Sequence, residues 1–240
     1  MSAPAARSYA AAATSAQPIT NDHRQSEAHS VQHPKQETHD ASVQDRGRPR
    51  RSPSPRQRPR TASEEEDVYV LTLQTNKQHH QRMTQLRNKY FPQKINKLEA
   101  HLTLFHALPG TKLESSIIPV IQDVAQRTSP FEVHATHPFR MKLGFAIGVS
   151  KAHGGQQAQE VHHMLRRPWL EEGFLSEQDE GGCRVHYTMM NKVDDQDEVE
   201  RALEEIEKSF EGDKGTAVGL GLWRYDRGWW RFGKEYLFGA

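Results

Sequence analysis

The feature that most limits what this chain can fold into is a change of composition at Val68. Residues 1–67 consist mainly of Ala, Ser, Gln, His, Pro and Arg, and they include almost no large apolar side chain. Such a segment cannot bury enough apolar surface to offset the entropy lost on ordering, so we predict a disordered tail. The folded domain is therefore expected within residues 68–240.

The end of the tail, residues 46–67, is a basic block followed by an acidic one. Two interpretations stay open for it. It is either a solvated linker, or a functional segment such as a nuclear localisation signal, an arm that contacts RNA or a phosphorylation target.

Composition limits the cellular context and the partners. The formal net charge is +1, so bulk charge predicts no partner. A single cysteine, Cys183, rules out an internal disulfide and fits a reducing compartment, so a cytoplasmic or nuclear location is expected. No apolar run approaches the roughly 20 residues of a membrane span, so no membrane association is expected. We expect a monomer.

Hydrophobic periodicity predicts an α+β fold of alternating strands and helices. The predicted strands are 68–75, 101–108, 131–136, 142–150 and 183–193, with a closing hairpin over 216–238. The predicted helices are 77–90, 113–127, 156–165 and 194–210. Because the pattern occurs twice, we expect a bilobal, internally duplicated fold with two antiparallel sheets facing across a central cleft and helices outside.

Two of the predicted strands carry a polar pair inside an apolar frame. The stretch AHLTLFHAL contains His101 and Thr103, and VHYTMM contains His186 and Thr188. Side chains alternate along a strand, so His101, Thr103 and Phe105 should share one face, away from the leucines between them. Two such strands could present four polar groups to one cleft.

Those four groups suit the chemistry of a phosphate. One imidazole can accept a proton while the other donates one. Two hydroxyls can donate hydrogen bonds to the phosphoryl oxygens, and the scheme needs no metal. In the alternative interpretation, His101 and His186 are half-buried strand residues whose rings bond to backbone carbonyls.

A third histidine followed two residues later by a threonine occurs at His134 and Thr136. It lacks the apolar frame, since a proline follows at position 138 and proline interrupts a central strand. We therefore leave this copy out of the predicted site.

The two framed motifs resemble those of the two-histidine phosphoesterase superfamily, which includes 2′,5′ RNA ligase-like proteins and cyclic nucleotide phosphodiesterases. The resemblance covers about residues 68–238. It implies a bilobal fold, no cofactor or metal, and either RNA 3′ ends or small nucleotides as substrates. It further implies that His101 and His186 form the acid–base pair and that Thr103 and Thr188 bind the phosphate. We expect His186 to be the base and His101 the acid.

Three further residues are candidates for substrate binding. Arg224 and Trp229 belong to a stretch in which tryptophans alternate with arginines, a pattern that can stack bases and bind phosphates. Alternation puts Trp229 and Trp230 on opposite faces, so at most one is free to stack. Lys142 could attract a phosphate backbone, although surface charges need no such role.

The sequence therefore predicts a metal-independent phosphodiesterase that acts on RNA-derived or nucleotide phosphodiesters, cyclic ones included. The reaction could run in reverse as 2′,5′ RNA ligation. The alternative is a non-catalytic module of the same fold that binds RNA or nucleotides without forming a product.

Overall fold

The computed structural model describes residues 66–239. Residues 1–65 of the predicted tail, which include its basic block, lie outside the described residues.

The described residues form seven strands and four α-helices that alternate along the chain. The strands are β1 (Val68–Thr75), β2 (Leu102–Pro109), β3 (Phe131–Met141), β4 (Gly144–Val149), β5 (His186–Met190), β6 (Asp213–Asp226) and β7 (Trp229–Leu237). The helices are α1 (Lys77–Tyr90), α2 (Ile118–Arg127), α3 (Gln156–Glu171) and α4 (Gln196–Ser209). The bounds of β1 and α1 agree with those predicted from the sequence.

Two prolines do not end the elements in which they lie. β3 continues through Pro138, which pairs with Ile147 of β4. The other edge of β3 pairs with β6 only as far as Ala135, so the missing N–H of Pro138 is not needed there. Helix α3 continues past Pro168 to Glu171, and the fully buried Trp169 anchors its last turn.

The strands join in one antiparallel sheet, where two facing sheets were expected. Their order is β1-β2-β5-β4-β3-β6-β7, and β1 also pairs with β6. These pairings close a ring of six strands, with β7 added to β6. Strand β6 can close the ring because its first part pairs with β3 and its second part with β1 and β7. The expected internal duplication stays a prediction.

The core lies between the sheet and the helices. Apolar side chains of all four helices are buried against strand residues. Among the described residues of helices, strands and loops together, the largest fully buried side chains include Trp169, Tyr187, Phe105, Phe145 and Phe174. No helix among residues 66–239 is long and apolar enough to cross a membrane.

Candidate active site

The two motif strands, β2 and β5, lie side by side and pair at one position, Leu102 with Tyr187. Both of these side chains are buried in the core. The flanking residues face the opposite way, since side chains alternate along a strand. In antiparallel register His101 therefore lies opposite Thr188, and Thr103 opposite His186. Side chains opposite each other in this way have Cβ atoms about 4.5–5.5 Å apart.

The structure thus brings the four motif residues together in a square on one face of the sheet. We call this group the motif square: His101, Thr103, His186 and Thr188. All four side chains are half-buried, so they are accessible from the outside.

The two imidazoles of the motif square are held by the same local contact. Nδ1 of His101 donates to the carbonyl of Glu99 at 2.7 Å. Nδ1 of His186 donates to the carbonyl of Arg184 at 2.6 Å. A carbonyl can only accept, so Nδ1 carries the hydrogen in both rings and Nε2 is left for proton transfer. Backbone carbonyls therefore occupy Nδ1 of each ring. The alternative interpretation, in which the two rings bond to backbone carbonyls, accounts for Nδ1 but not for Nε2.

Burial and nearby positive charge lower the pKa of both imidazoles. Burial, with the nearby Arg87 guanidinium, lowers the pKa of His101 to about 4. Burial also lowers the pKa of His186, and His106 and Arg184 lower it further. His186 in turn contributes to the lowered pKa of His101, as expected for two rings that share one site.

Arg87, from α1, places a buried positive charge behind the motif square. It is 4% exposed, and its Nη1 donates to the backbone carbonyl of Thr188 at 2.6 Å. Its Nε donates to Asn96 and to the carbonyl of Leu98, and its guanidinium lies over the ring of Phe91. Within residues 66–239 no carboxylate pairs with it. Burial lowers its pKa to about 10, so it stays charged at neutral pH.

A β-bulge brings a third histidine to the same face of β2. Leu104 and Phe105 are consecutive and both buried, and the register between β1 and β2 shifts at this point. Phe105 therefore faces the core, contrary to the prediction that it shares a face with His101. The next residue, His106, faces outward with a side chain that is 47% exposed.

The bulge is held by Asp179, a buried carboxylate from the segment between α3 and β5. Its Oδ1 accepts the backbone N–H of His106 at 2.8 Å, and its Oδ2 accepts that of Ala107 at 2.9 Å. Its Oδ1 also accepts Nδ1–H of His106 at 3.2 Å. Burial alone would raise the pKa of Asp179, but its hydrogen bonds with His106 and Ser176 hold that pKa below the usual range.

Aromatic rings flank the motif square on both sides. Trp230 lies against His101 with ring centroids 4.4 Å apart. Phe139 lies edge-on to His186 at 5.7 Å. Trp223 stacks on Trp230 at 5.9 Å, so the aromatic surface continues away from His101 along the β6–β7 hairpin.

A cavity of about 440 Å³ opens beside His101. Its walls combine aromatic faces with groups that form hydrogen bonds or carry charge, and they include Thr72, Gln74, Lys97, His101, Trp223 and Trp230. A volume of this size is in the usual range for small-molecule sites. The cavity therefore provides room for a nucleoside next to the motif square.

The three other predicted residues lie away from the motif square. Trp229 is 45% exposed at the tip of the hairpin, so it is Trp230 and not Trp229 that contacts His101. The guanidinium of Arg224 pairs with Asp67 at 3.3 Å and lies over Phe232. Lys142 is exposed in the turn between β3 and β4.

The third copy of the motif lies elsewhere. His134 stacks on His153 at 4.5 Å, and its Nε2 lies 2.7 Å from a carboxylate oxygen of Glu132. Thr136 bonds to the neighbouring His137. Among the described residues no cluster of three or more His, Cys, Asp or Glu side chains has the arrangement of a metal site.

Sequence reasoning missed Arg87, His106 and Asp179, and of the two neighbouring tryptophans it chose Trp229 where Trp230 contacts His101. His106 was visible in the quoted stretch AHLTLFHAL, but regular alternation assigned it to the core face. For Arg87 and Asp179 the sequence holds no signal, because their role depends on contacts between distant segments.

Comparison with known proteins identifies similarities over most of the described chain. The family model described as the 2′-5′ RNA ligase superfamily matches residues 75–229. No curated protein matches the chain.

Solved structures share the fold. The structure of E. coli LigT in its apo form is 12% identical, with a TM-score of 0.50 over 73% of this chain and 99% of that chain. The structure of E. coli LigT complexed with 3′-AMP is 13% identical, with a TM-score of 0.52 over 73% of this chain and 100% of that chain. A structure called a phosphoesterase is 12% identical, with a TM-score of 0.51 over 72% of this chain and 99% of that chain. The fold is therefore the mixed helix and sheet fold of LigT.

Proposed function

Since this chain belongs to the 2′-5′ RNA ligase superfamily, we propose that it is a metal-independent phosphodiesterase. Its substrates are RNA-derived or nucleotide phosphodiesters, among them 2′,3′-cyclic phosphates, and it uses no cofactor. One observation carries this proposal above all. The imidazoles of His101 and His186 lie on adjacent strands, each with Nδ1 bound to a backbone carbonyl and Nε2 left for proton transfer.

Hydrolysis of a 2′,3′-cyclic phosphate then proceeds as follows. One imidazole accepts a proton from water through Nε2 while the water oxygen forms a bond to phosphorus. The bond between phosphorus and one ribose oxygen breaks, and the other imidazole donates a proton to that oxygen. The product is a nucleoside monophosphate. Each ring ends in the protonation state in which the other began, so proton exchange with solvent resets the site.

The electrostatics favour His101 as the base and His186 as the acid, the reverse of the assignment expected from sequence. The pKa of His101, about 4, keeps that ring neutral and able to accept a proton. The charge of Arg87 is not among the causes that lower the pKa of His186, which are burial, His106 and Arg184. A bound phosphodiester anion favours protonation of a nearby imidazole, and we assign that proton to His186, where the charge of Arg87 does not oppose it.

The remaining groups of the site stabilise the charge that develops on phosphorus. The hydroxyls of Thr103 and Thr188 donate to the two non-bridging oxygens. Arg87 contributes a fixed positive charge, and its bond to the Thr188 carbonyl also holds that strand in place. Positive charge in a partly buried site acts more strongly than the same charge in water.

The cavity beside His101 holds the nucleoside, with its base near Trp230 and Trp223. E. coli LigT, which shares the fold, has been crystallised with 3′-AMP. A 3′-nucleotide is the product that remains when a 2′,3′-cyclic phosphate opens at the 2′ oxygen. The same four groups can run the related ligation, in which an RNA 5′-hydroxyl takes the place of water. Its oxygen bonds to phosphorus as one imidazole accepts its proton, the bond from phosphorus to the 3′ oxygen breaks as the other imidazole protonates that oxygen, and a 2′,5′ linkage remains.

The test is a turnover assay of the purified full chain with 2′,3′-cyclic mononucleotides and 2′,5′-linked dinucleotides, with product identification. His101→Gln and His186→Gln are each expected to lower kcat by roughly 10²–10⁴-fold, the usual range for acid–base groups. His163→Gln is the matched control, because His163 is exposed on α3, and it should leave kcat unchanged.

Two results would contradict the proposal. The first is turnover at the wild-type rate by the double variant of His101 and His186. The second is binding of the nucleotides by the wild-type chain without any product, which would instead support the non-catalytic module.

A further inference from the structure

Two basic side chains lie next to the motif square, on the side of Thr103 and His186. Arg184 precedes His186 by two residues on the same chain segment, so the two side chains point to the same face. His106 follows Thr103 along β2, and the bulge returns it to the face of Thr103. Both are exposed. We call these two residues the basic pair.

Arg184 is held in place without a carboxylate. Its guanidinium lies 3.6 Å from the ring centre of Phe139, the ring that also flanks His186. Its Nη2 donates to Nε2 of His137 at 3.5 Å. Within residues 66–239 no acidic side chain neutralises it, so most of its five N–H donors stay available to a ligand.

A glycine makes room for this arrangement. Gly148 pairs with His186 across β4 and β5, and with His137 across β3 and β4. A Cβ atom at Gly148 would come within 2.6 Å of His137 Nε2. The absence of a side chain therefore lets the His137 ring lie over β4, where it supports Arg184.

His106 is oriented by the carboxylate that holds the bulge. Asp179 accepts Nδ1–H of His106 at 3.2 Å, which leaves Nε2 directed away from that contact. An imidazole between a carboxylate and a phosphate can carry hydrogens on both nitrogens and donate one to each. Bonds from charged donors to phosphate oxygens are shorter and stronger than neutral ones.

We propose that His106 and Arg184 bind a second phosphate group of the substrate, beside the phosphate that reacts in the motif square. This inference rests on the proposed function and narrows its substrate class. It predicts a preference for substrates that carry a further phosphate on the His186 side, either the preceding linkage of an RNA strand or the 5′-phosphate of a nucleotide.

Binding of product-like ligands tests this without requiring turnover. Titration calorimetry of the full chain would compare adenosine 3′-monophosphate with adenosine 3′,5′-bisphosphate and with a 3′-phosphorylated diadenosine. The wild-type chain should bind at least one of the two doubly phosphorylated ligands roughly tenfold or more tightly than the monophosphate, because hydrogen bonds between charged groups are stronger than those between neutral ones. The doubly phosphorylated ligand that binds more tightly than the monophosphate identifies the source of the second phosphate.

Arg184→Gln and His106→Gln should each reduce this preference, measured as the ratio of the affinity for the doubly phosphorylated ligand to the affinity for the monophosphate. Arg201→Gln, which removes the same charge from an exposed position on α4, and His163→Gln on α3 are the matched controls and should retain the preference. Circular dichroism checks that each variant is folded.

The inference is overturned if the wild-type chain shows no preference, or if the preference persists in both Arg184→Gln and His106→Gln. These results differ from failure of the proposed function. An enzyme that turns over cyclic mononucleotides without a preference for a second phosphate would refute only the proposal that the basic pair binds a second phosphate. Absence of turnover with an intact preference would refute the catalytic proposal alone.

Discussion

Replacing Asp179 by asparagine is expected to lower the free energy of unfolding by roughly 2.5–6 kcal/mol. The carboxylate is 2% exposed and accepts the backbone N–H groups of His106 and Ala107, one on each oxygen. It also accepts the hydroxyl of Ser176 at 2.9 Å. An asparagine has one acceptor oxygen and one NH2 group, so one backbone N–H would face a donor. The change therefore removes a bond to a charged acceptor, about 1.5–3 kcal/mol, and leaves a buried N–H unpaired, about 1–3 kcal/mol.

A matched control is available in the same chain. Asp195 precedes α4 and accepts the backbone N–H groups of Asp197 and Glu198 at 3.0 and 3.1 Å. It is exposed, and asparagine caps a helix about as well as aspartate. Asp195→Asn should therefore change stability by less than about 0.5 kcal/mol. The two variants undergo the same substitution and differ mainly in burial.

The assay is urea unfolding of the full chain at pH 7, followed by circular dichroism. It should be repeated in acid because hydrogen bonds hold the pKa of Asp179 below its usual range. A lowered carboxyl pKa stabilises the fold above the pKa of the unfolded chain, about 3.9, and this contribution is lost as the pH falls through the folded pKa. The difference between wild type and Asp179→Asn should therefore be full at pH 7 and shrink below about pH 4. If Asp179→Asn were as stable at pH 7 as Asp195→Asn, the role assigned to this carboxylate would be wrong.

Four further outcomes are expected. Trp230→Ala should raise KM for a cyclic nucleotide by about tenfold, since base stacking contributes about 1–3 kcal/mol, whereas Trp229→Ala should not; steady-state kinetics compares the two. Thr188→Val should lower kcat by about 10²-fold with a small change in KM, measured in the same assay, because its hydroxyl bonds to developing charge. Arg87→Met should raise the pKa of His101, so the acid limb of the pH–rate profile should move to higher pH. Turnover should persist in excess chelator, and activity lost to chelator and restored by zinc or manganese would argue for a metal site.

The motif square could be predicted because its signals are local. His101 and Thr103 sit in an apolar frame whose alternation fixes their face, and the same holds for His186 and Thr188. What the alternation could not fix was the pairing of the two strands in one sheet. The two strands pair at Leu102 and Tyr187, and no local pattern encodes which strands become neighbours.

The rest of the site depends on irregularities and on distant contacts. The bulge at Leu104 and Phe105 shifts the register and so moves His106 to the other face. Asp179 lies 73 residues further along the chain from His106, and nothing near it in sequence indicates its partner. Alternation correctly separated Trp229 from Trp230, but the phase of the hairpin decides which of them meets His101.

Strand β6 has a consequence for how the protein is made. It pairs with β1, β3 and β7, and its residues that pair with β1 lie about 140 to 160 residues further along the chain than β1 itself. During synthesis β1 therefore lacks this second neighbour until those residues of β6 have left the ribosome. At about 5–20 residues per second, the roughly 140 residues between these partners take from several seconds to about half a minute to appear. For that interval one edge of β1 is exposed to other chains, so we expect the nascent protein to depend on chaperones until β6 emerges.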